Sequence, residues 1–449
     1  MTAVSHPAND LTVGIDIGTT SVKAVVVDGS GAVLERVRVP HPVNVPAPDR
    51  FEHDANRSWR AGPRRAFARL AAHRPRAVAV STMVPSLTAV DRRGRALTPG
   101  LLYGDARGRE GVERSTGSDA GEVVGFLRWT AGASPGAHGY WPAPAVANFA
   151  LAREAVVDIG TAFTSAPLFG DGGWDASVAE SCGADPARLP RIEMMGTAAG
   201  EVTGTSTVLA IGGIDAMCEG LVSDGKHPGD VLVNCGTTLI PWLYTSSPVD
   251  APGLWCVPTM TPGLWSAGGP SNAGGLFLGW VERVVGPVRR GDRATPGDVP
   301  VWVPYIRGER VPHHDPHRRA SLHDLNLTHG PAAVRRAAYE AAGFVVRHVI
   351  DLAGAPASRV VALGGGTRVE GWMQALADCT GLPVHVAAAP EGAALGAAWL
   401  ARMAVGLEPG LEGATRWAST ARVVEPDPEW AGPAAERYAR FRELVSASG

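Results

Sequence analysis

The feature that most constrains this chain is a short pattern that occurs twice. Residues 13–28 read VGIDIGTTSVKAVVVD. Val13, Ile15 and Ile17 alternate with Gly14, Asp16 and Gly18, the period of a strand with one apolar face, which directs Asp16 away from that face. Gly18-Thr19-Thr20-Ser21 is too short and too glycine-led to be anything but a tight turn, and a second strand follows over Val22–Val27. Residues 231–240 read VLVNCGTTLI, so Asn234, Gly236, Thr237 and Thr238 repeat the offsets of Asp16, Gly18, Thr19 and Thr20. A single copy reads equally as an ordinary hairpin with a solvated Asp. Two copies argue for an internal duplication, and hence for two related domains. Hydroxyls and free backbone N–H groups at such a turn hold phosphate oxygens, and a carboxylate just before it holds a bridging metal ion.

The chain has 449 residues, enough for two or three domains. A net charge of −3 and a pI near 6.5 give no basic stripe, so no nucleic-acid partner is expected. Among 41 basic residues only Lys23 and Lys226 are lysines, and Lys23 reads as an exposed strand residue. The five cysteines, Cys182, Cys218, Cys235, Cys256 and Cys379, form no Cys-x-x-Cys pair. Their odd number fits a reducing cytoplasm. Residues 1–11 lack the apolar core of a signal peptide, and no apolar run is long enough to span a bilayer, so no membrane partner is expected.

Strands are expected at 12–17, 22–27 and 32–39, a helix at about 55–73 and a buried strand at 75–81, with a ligand loop at its end over Ser81–Ser86. Residues 108–200 are rich in Gly, Pro and Ala and show little periodicity; a strand near Ala155–Asp158 is the only element assigned there. A strand at 208–214 leads to Asp215 and a short helix. Pro331 opens an amphipathic helix, and Ser358–Leu363 is a strand running into Gly364-Gly365-Gly366. The last helix is expected at 433–446. Strand meanders followed by alternating helices and strands, twice over, argue an α/β architecture.

These residues resemble the FGGY family of carbohydrate kinases, in the actin-like ATPase superfamily. Four motifs carry the likeness: GIDIGTTSVKA at 14–24; GGIDA at 212–216 with the NCGTT turn; PYIRGERVPHHDPHRRA at 304–320; and LGGGTRVEGWMQALADCTGLPV at 363–384 with EGAALGAAWLA at 391–401. The resemblance implies two RNase H-like domains flanking a central catalytic cleft, 1–226 on the sugar side and 227–449 on the ATP side. It implies ATP and Mg²⁺ as cofactors and a ketose, polyol or cyclitol as substrate, with a homodimer left open.

By the same resemblance Asp215 is the general base; read from the residues alone, it is equally a helix N-cap. Asp16 would ligate Mg²⁺ through water. Gly18, Thr19 and Thr20, with Gly236, Thr237 and Thr238, would hold the phosphates. Gly364, Gly365 and Gly366 would lie beside the adenosine or simply turn strand into helix. Met83, Asp105, Arg107 and Asp215 would face the substrate. Asp105 and Arg107 match Trp-x-Asp-x-Arg with Tyr103 in place of Trp, and read equally as a salt bridge. Where ketopentose kinases carry Gln-Met-His-Gly, this chain has Thr82-Met83-Val84-Pro85-Ser86, which argues against xylulose. That loop and the short 108–200 region motivate the alternative, a catalytically silent sugar- or nucleotide-binding relative. Gly220 to His227 nearly matches a P-loop, but His227 stands where a hydroxyl is needed and helix precedes strand, so the match is rejected.

Overall fold

The computed structural model describes residues 10–108, 122–259, 261, 263–388 and 391–447. The chain forms two compact units, and each is described by itself. The first comprises Met1–Val222 with Glu391–Trp417, the second Ser223–Pro390 with Ala418–Gly449.

The first unit is built on a six-stranded sheet. Strand β1 (Thr12–Ile17) pairs antiparallel with β2 (Ser21–Val27), which pairs antiparallel with β3 (Val33–Pro40). On its other side β1 pairs in parallel with β4 (Ala77–Thr82). Strand Val208–Ala210 continues in parallel from β4, and Ala198–Glu201 closes the edge antiparallel to it. The expected strand at 208–214 is regular only to Ala210. Beyond it the chain stays extended until Ile214 bridges Thr82, and helix α1 (Asp215–Leu221) begins. A separate four-stranded sheet carries Glu52–His53, Gly100–Leu102, Ser86–Val90 and Gly139–Trp141 in that spatial order. The poorly periodic middle contains helices Glu122–Ala133 and Ala143–Ala152. The second is buried around most of its circumference, so no polar face marks it in the sequence. The expected strand near 155–158 is present as Val156–Asp158.

The second unit repeats the plan. Strand β5 (Asp230–Cys235) pairs antiparallel with β6 (Leu239–Thr245), and β6 with Trp265–Gly268. On the other side β5 is parallel to β7 (Arg359–Leu363), β7 to Val384–Ala387, and Thr420–Val424 closes the edge antiparallel. Six strands thus match in order and direction, and Trp255–Pro258 adds a seventh at one edge. The duplicated motif in the sequence is a duplicated sheet in the fold. Helix Pro331–Ala353 packs over this sheet with a largely buried face, and the tail helix runs Pro428–Ala447.

Helix α2 (Gly392–Ala404) returns to the first unit. Its small residues explain why. A Cβ on Gly14 of β1 would lie 1.7 Å from Ala394 O, and one on Gly396 would lie 1.9 Å from Cys218 O of α1. Only bare backbone fits at either crossing. With α2 over it, β1 is buried at all six positions rather than on one face, which corrects the half-buried strand expected from its alternation.

Candidate active site

The register of the first hairpin builds the charged site. Asp16 lies across from Lys23 on β2 and from Ser81 on β4. Lys23 Nζ is 3.5 Å from Asp16 Oδ2, and Ser81 Oγ donates to Asp16 Oδ1 at 3.5 Å. Asp16 is 5% exposed. Burial raises its pKa, and Lys23 opposes that rise. Lys23 is raised in turn, chiefly by the Asp16 charge. Lys23 is thus an ion-pair partner rather than the exposed strand residue expected. The missed signal was hairpin arithmetic: a turn closed by the Gly18 N–H donating to Ser21 O at 3.1 Å pairs Ile17 with Val22 and Asp16 with Lys23.

Asp215 is brought beside this pair by two glycines. A Cβ on Gly212 would lie 1.9 Å from Val80 O, and Thr82 N–H donates to Gly213 O at 3.2 Å. The segment therefore runs flush along the end of β4. Asp215 opens α1 as its first helical residue, with Ile214 in the N-cap position. Its Oδ1 accepts from Ala216 N–H at 2.8 Å. The side chain is half-buried. Burial first, and the Asp16 charge second, push its carboxyl up to about 7, while Lys23 pulls the other way.

The first turn is held on both sides. Thr19 is 7% exposed; its hydroxyl shares a 2.9 Å hydrogen bond with Tyr103 Oη, and its carbonyl lies 2.7 Å from His53 Nε2. Thr20 is exposed. In the second unit the Gly236 N–H donates to Thr238 O at 3.1 Å, so that turn is one residue shorter. Helix Gly275–Val285 starts against it: Gly275 and Leu276 N–H groups donate to Gly236 O and Thr237 O at 2.9 and 3.0 Å. The Gly274-Gly275 pair that permits this approach was not singled out in the sequence. Gly364, at φ +87°, and Gly366 abut the end of β5, where added Cβ atoms would lie 3.0 and 2.7 Å from Cys235 O. Gly365 is exposed with open space at its Cβ position.

Asp105 and Arg107 form a buried ion pair, at 2.8 Å from Nε to Oδ1 and 2.7 Å from Nη2 to Oδ2. Asp105 also accepts from Phe51 N–H at 2.6 Å and is fully buried. Arg107 reaches Glu52 at 2.7 Å and lies over Trp129 at 4.6 Å. The salt bridge of the sequence reading is thus present. Met83 is 2% exposed. In the rejected P-loop match, Lys226 and His227 N–H groups both donate to Asp230 Oδ2, a strand-entry turn.

Among the described residues no group of three or more His, Cys, Asp or Glu side chains gathers as a metal site. Asp16 nonetheless suits Mg²⁺, which binds through one or two carboxylates plus water and phosphate. Both of its contacts sit at 3.5 Å, so its oxygens are not saturated by short hydrogen bonds.

The duplicated six-stranded sheet, with Asp16 one residue before the end of β1 in the first copy, has the plan of the two-domain actin-like ATPase fold. Residues 11–120 match the N-terminal domain model of the FGGY family of carbohydrate kinases, and residues 231–405 match its C-terminal domain. Xylulose kinase of Streptomyces coelicolor is 28% identical, with 94% of this chain and 93% of the relative covered. Gluconokinase of Bacillus subtilis is 25% identical, with 88% and 87% covered. The solved xylulose kinase of Rhodospirillum rubrum has a TM-score of 0.77 at 26% identity, covering 97% of this chain and 98% of that one. The chain belongs to the FGGY family of carbohydrate kinases and is a phosphotransferase of that kind.

Proposed function

We propose that this kinase transfers the γ-phosphoryl group of Mg-ATP to a hydroxyl of a small ketose, polyol or cyclitol, with Asp215 as general base. The observation that carries the reading is a half-buried acid opening α1 where the Gly212-Gly213 segment runs along the end of β4, with burial and the Asp16 charge raising its carboxyl to about 7. A base poised near the working pH removes a hydroxyl proton most effectively. Phosphoryl transfer otherwise asks mainly for positioning and charge neutralisation.

Asp16 would hold Mg²⁺, which supplies charge neutralisation at the phosphates when bound. Lys23 works against the rise that burial imposes on both acids. Each unit carries one Gly-Thr-Thr turn of a kind that holds phosphate oxygens: Gly18, Thr19 and Thr20 in the first, Gly236, Thr237 and Thr238 in the second. Thr19 acts through its backbone, since its hydroxyl is engaged by Tyr103, and exposed Thr20 offers its own. Gly365 takes the adenosine contact, with Gly364 and Gly366 shaping the turn around it. Met83, Arg107 and Asp215 would face the substrate, with Asp105 holding Arg107. Among the described residues no helix is long and apolar enough to cross a membrane, and the five cysteines are unpaired, which supports a cytoplasmic enzyme.

The test is an ADP-release assay over pentuloses, hexuloses, gluconate, glycerol and cyclitols. Asp215→Asn should lower kcat about 10²–10⁴-fold on the accepted substrate. A wild-type rate would discard Asp215 as the base. No ADP with any acceptor, despite nucleotide binding, would favour the silent relative.

A further inference from the structure

His53 makes contacts that the phosphoryl-transfer reading does not use. It is fully buried, in the short strand Glu52–His53. Its Nδ1 receives a 2.9 Å hydrogen bond from Trp59 Nε1, and Trp59 is itself fully buried. An indole nitrogen only donates, so Nδ1 must be the accepting nitrogen. The ring proton then resides on Nε2, which donates to the carbonyl of Thr19 at 2.7 Å. Trp59 thus selects the tautomer, and the tautomer holds the turn. Two further bonds converge on the same residues. The Thr19 hydroxyl meets Tyr103 Oη, and the His41 N–H donates to Thr20 O at 3.0 Å. The His41 ring packs edge-on against His53, with centroids 4.6 Å apart. Every one of these groups lies in the first unit.

We propose that His53 is a positioning residue of the kinase: its Nε2–H, oriented by Trp59, clamps the Thr19 carbonyl and fixes the Gly18-Thr19-Thr20 turn in its phosphate-holding shape. The inference rests on the reading of that turn as a phosphate holder. A turn of four residues closed by one backbone hydrogen bond has little rigidity of its own. Burying the Thr19 carbonyl against a neutral donor removes its freedom to rotate, and leaves the turn's outward N–H groups and the Thr20 hydroxyl at fixed positions. A glutamine side chain also carries one acceptor and one donor, so it can satisfy both Trp59 and Thr19. Alanine can satisfy neither.

The experiment compares wild type, His53→Ala, His53→Gln and Trp59→Phe as full chains. Amide hydrogen exchange is read in the peptide spanning Ile17–Ser21. Turnover of Mg-ATP is read with xylulose, gluconate and glycerol. In His53→Ala, exchange at the turn should rise about tenfold, with other strands of the same sheet unchanged. Its kcat should fall about 10- to 100-fold with the sugar KM within about twofold. His53→Gln should restore both. Trp59→Phe should loosen the turn while keeping most of the buried volume, and it carries the test if His53→Ala does not fold. Wild-type exchange at the turn in His53→Ala or Trp59→Phe overturns the proposal, as does a glutamine variant that fails to the same extent as alanine. Thr20→Ala separates the two readings. Normal turnover there, with faster exchange in His53→Ala, removes the phosphate role from the turn and leaves the clamp; slow turnover there, with an unaltered His53→Ala, removes only the clamp.

Discussion

The ionisation of Asp215 can be predicted with sign and size. Its carboxyl is pushed up to about 7 by burial and by Asp16, and held down by Lys23. In the metal-free protein about a tenth of it is ionised at pH 6 and about nine-tenths at pH 8. Lys23→Met removes a cation and should raise the midpoint, whereas Asp16→Asn removes an anion and should lower it. The assay is ¹³C NMR titration of aspartate-labelled protein, with Asp215→Asn identifying the resonance. Stability gives an independent readout. The folded pKa lies above the ordinary value of 3.8. Between those two values the folded state keeps a proton that the unfolded chain has lost. Stability therefore falls as pH rises from about 4 to about 7, and the loss is complete above that. Its ceiling is about 4 kcal/mol, reduced because the half-buried side chain keeps some solvent contact. Asp215→Asn should consequently unfold later than wild type above about pH 7, by a margin that vanishes below about pH 4. A wild-type midpoint near 4, or two neighbour substitutions that move it in the same direction, would refute the reasoning.

Gly365→Ala should leave the melting temperature unchanged, because nothing lies within 4 Å of the added atom, yet raise the KM for ATP about tenfold; an unchanged KM removes the adenosine contact. Gly366→Ala, whose Cβ would lie 2.1 Å from Trp372, should by contrast destabilise the second unit by about 1–3 kcal/mol in urea denaturation. Asp105→Asn leaves Arg107 buried without its main counter-charge and should cost about 3–5 kcal/mol by the same measurement. Chelation with EDTA should abolish ADP release, Mg²⁺ should restore it, and Asp16→Asn should raise the Mg²⁺ needed for half activity by about tenfold or more.

Much of this arrangement is legible in the sequence wherever the determinant is local. The two Gly-Thr-Thr turns, the strands on either side and the glycines before Asp215 all announce themselves within a few residues. What is missed depends on contacts distant in the chain. Glu391–Trp417 joins the first unit because Ala394 meets Gly14, and no window of sequence contains both. His53 touches Thr19, 34 positions away; the Glu52-His53-Asp54 stretch resembles a family segment, but no local window shows that contact. Helix Ala143–Ala152 escapes notice for a different reason: burial on most sides erases the polar stripe by which helices are recognised. Lys23 was the avoidable omission, since the turn itself fixes its partner.

The two copies diverge at the positions where charge matters. In the first, the acidic slot at position 16 is flanked across the sheet by Lys23 and Ser81. In the second, the equivalent slot is Asn234, and the residues across from it are Ile240 and Leu363. A carboxylate between two apolar side chains would be desolvated with no cation in register to offset it, whereas a neutral amide avoids that cost. The second copy therefore keeps the turn and gives up the charge. Duplication supplied two similar hairpins, but only the first retains a Lys–Asp pair next to an acid poised near neutrality. On the proposed reading, that asymmetry would place the proton and metal chemistry in the first unit and leave the second turn only its backbone and hydroxyls to offer.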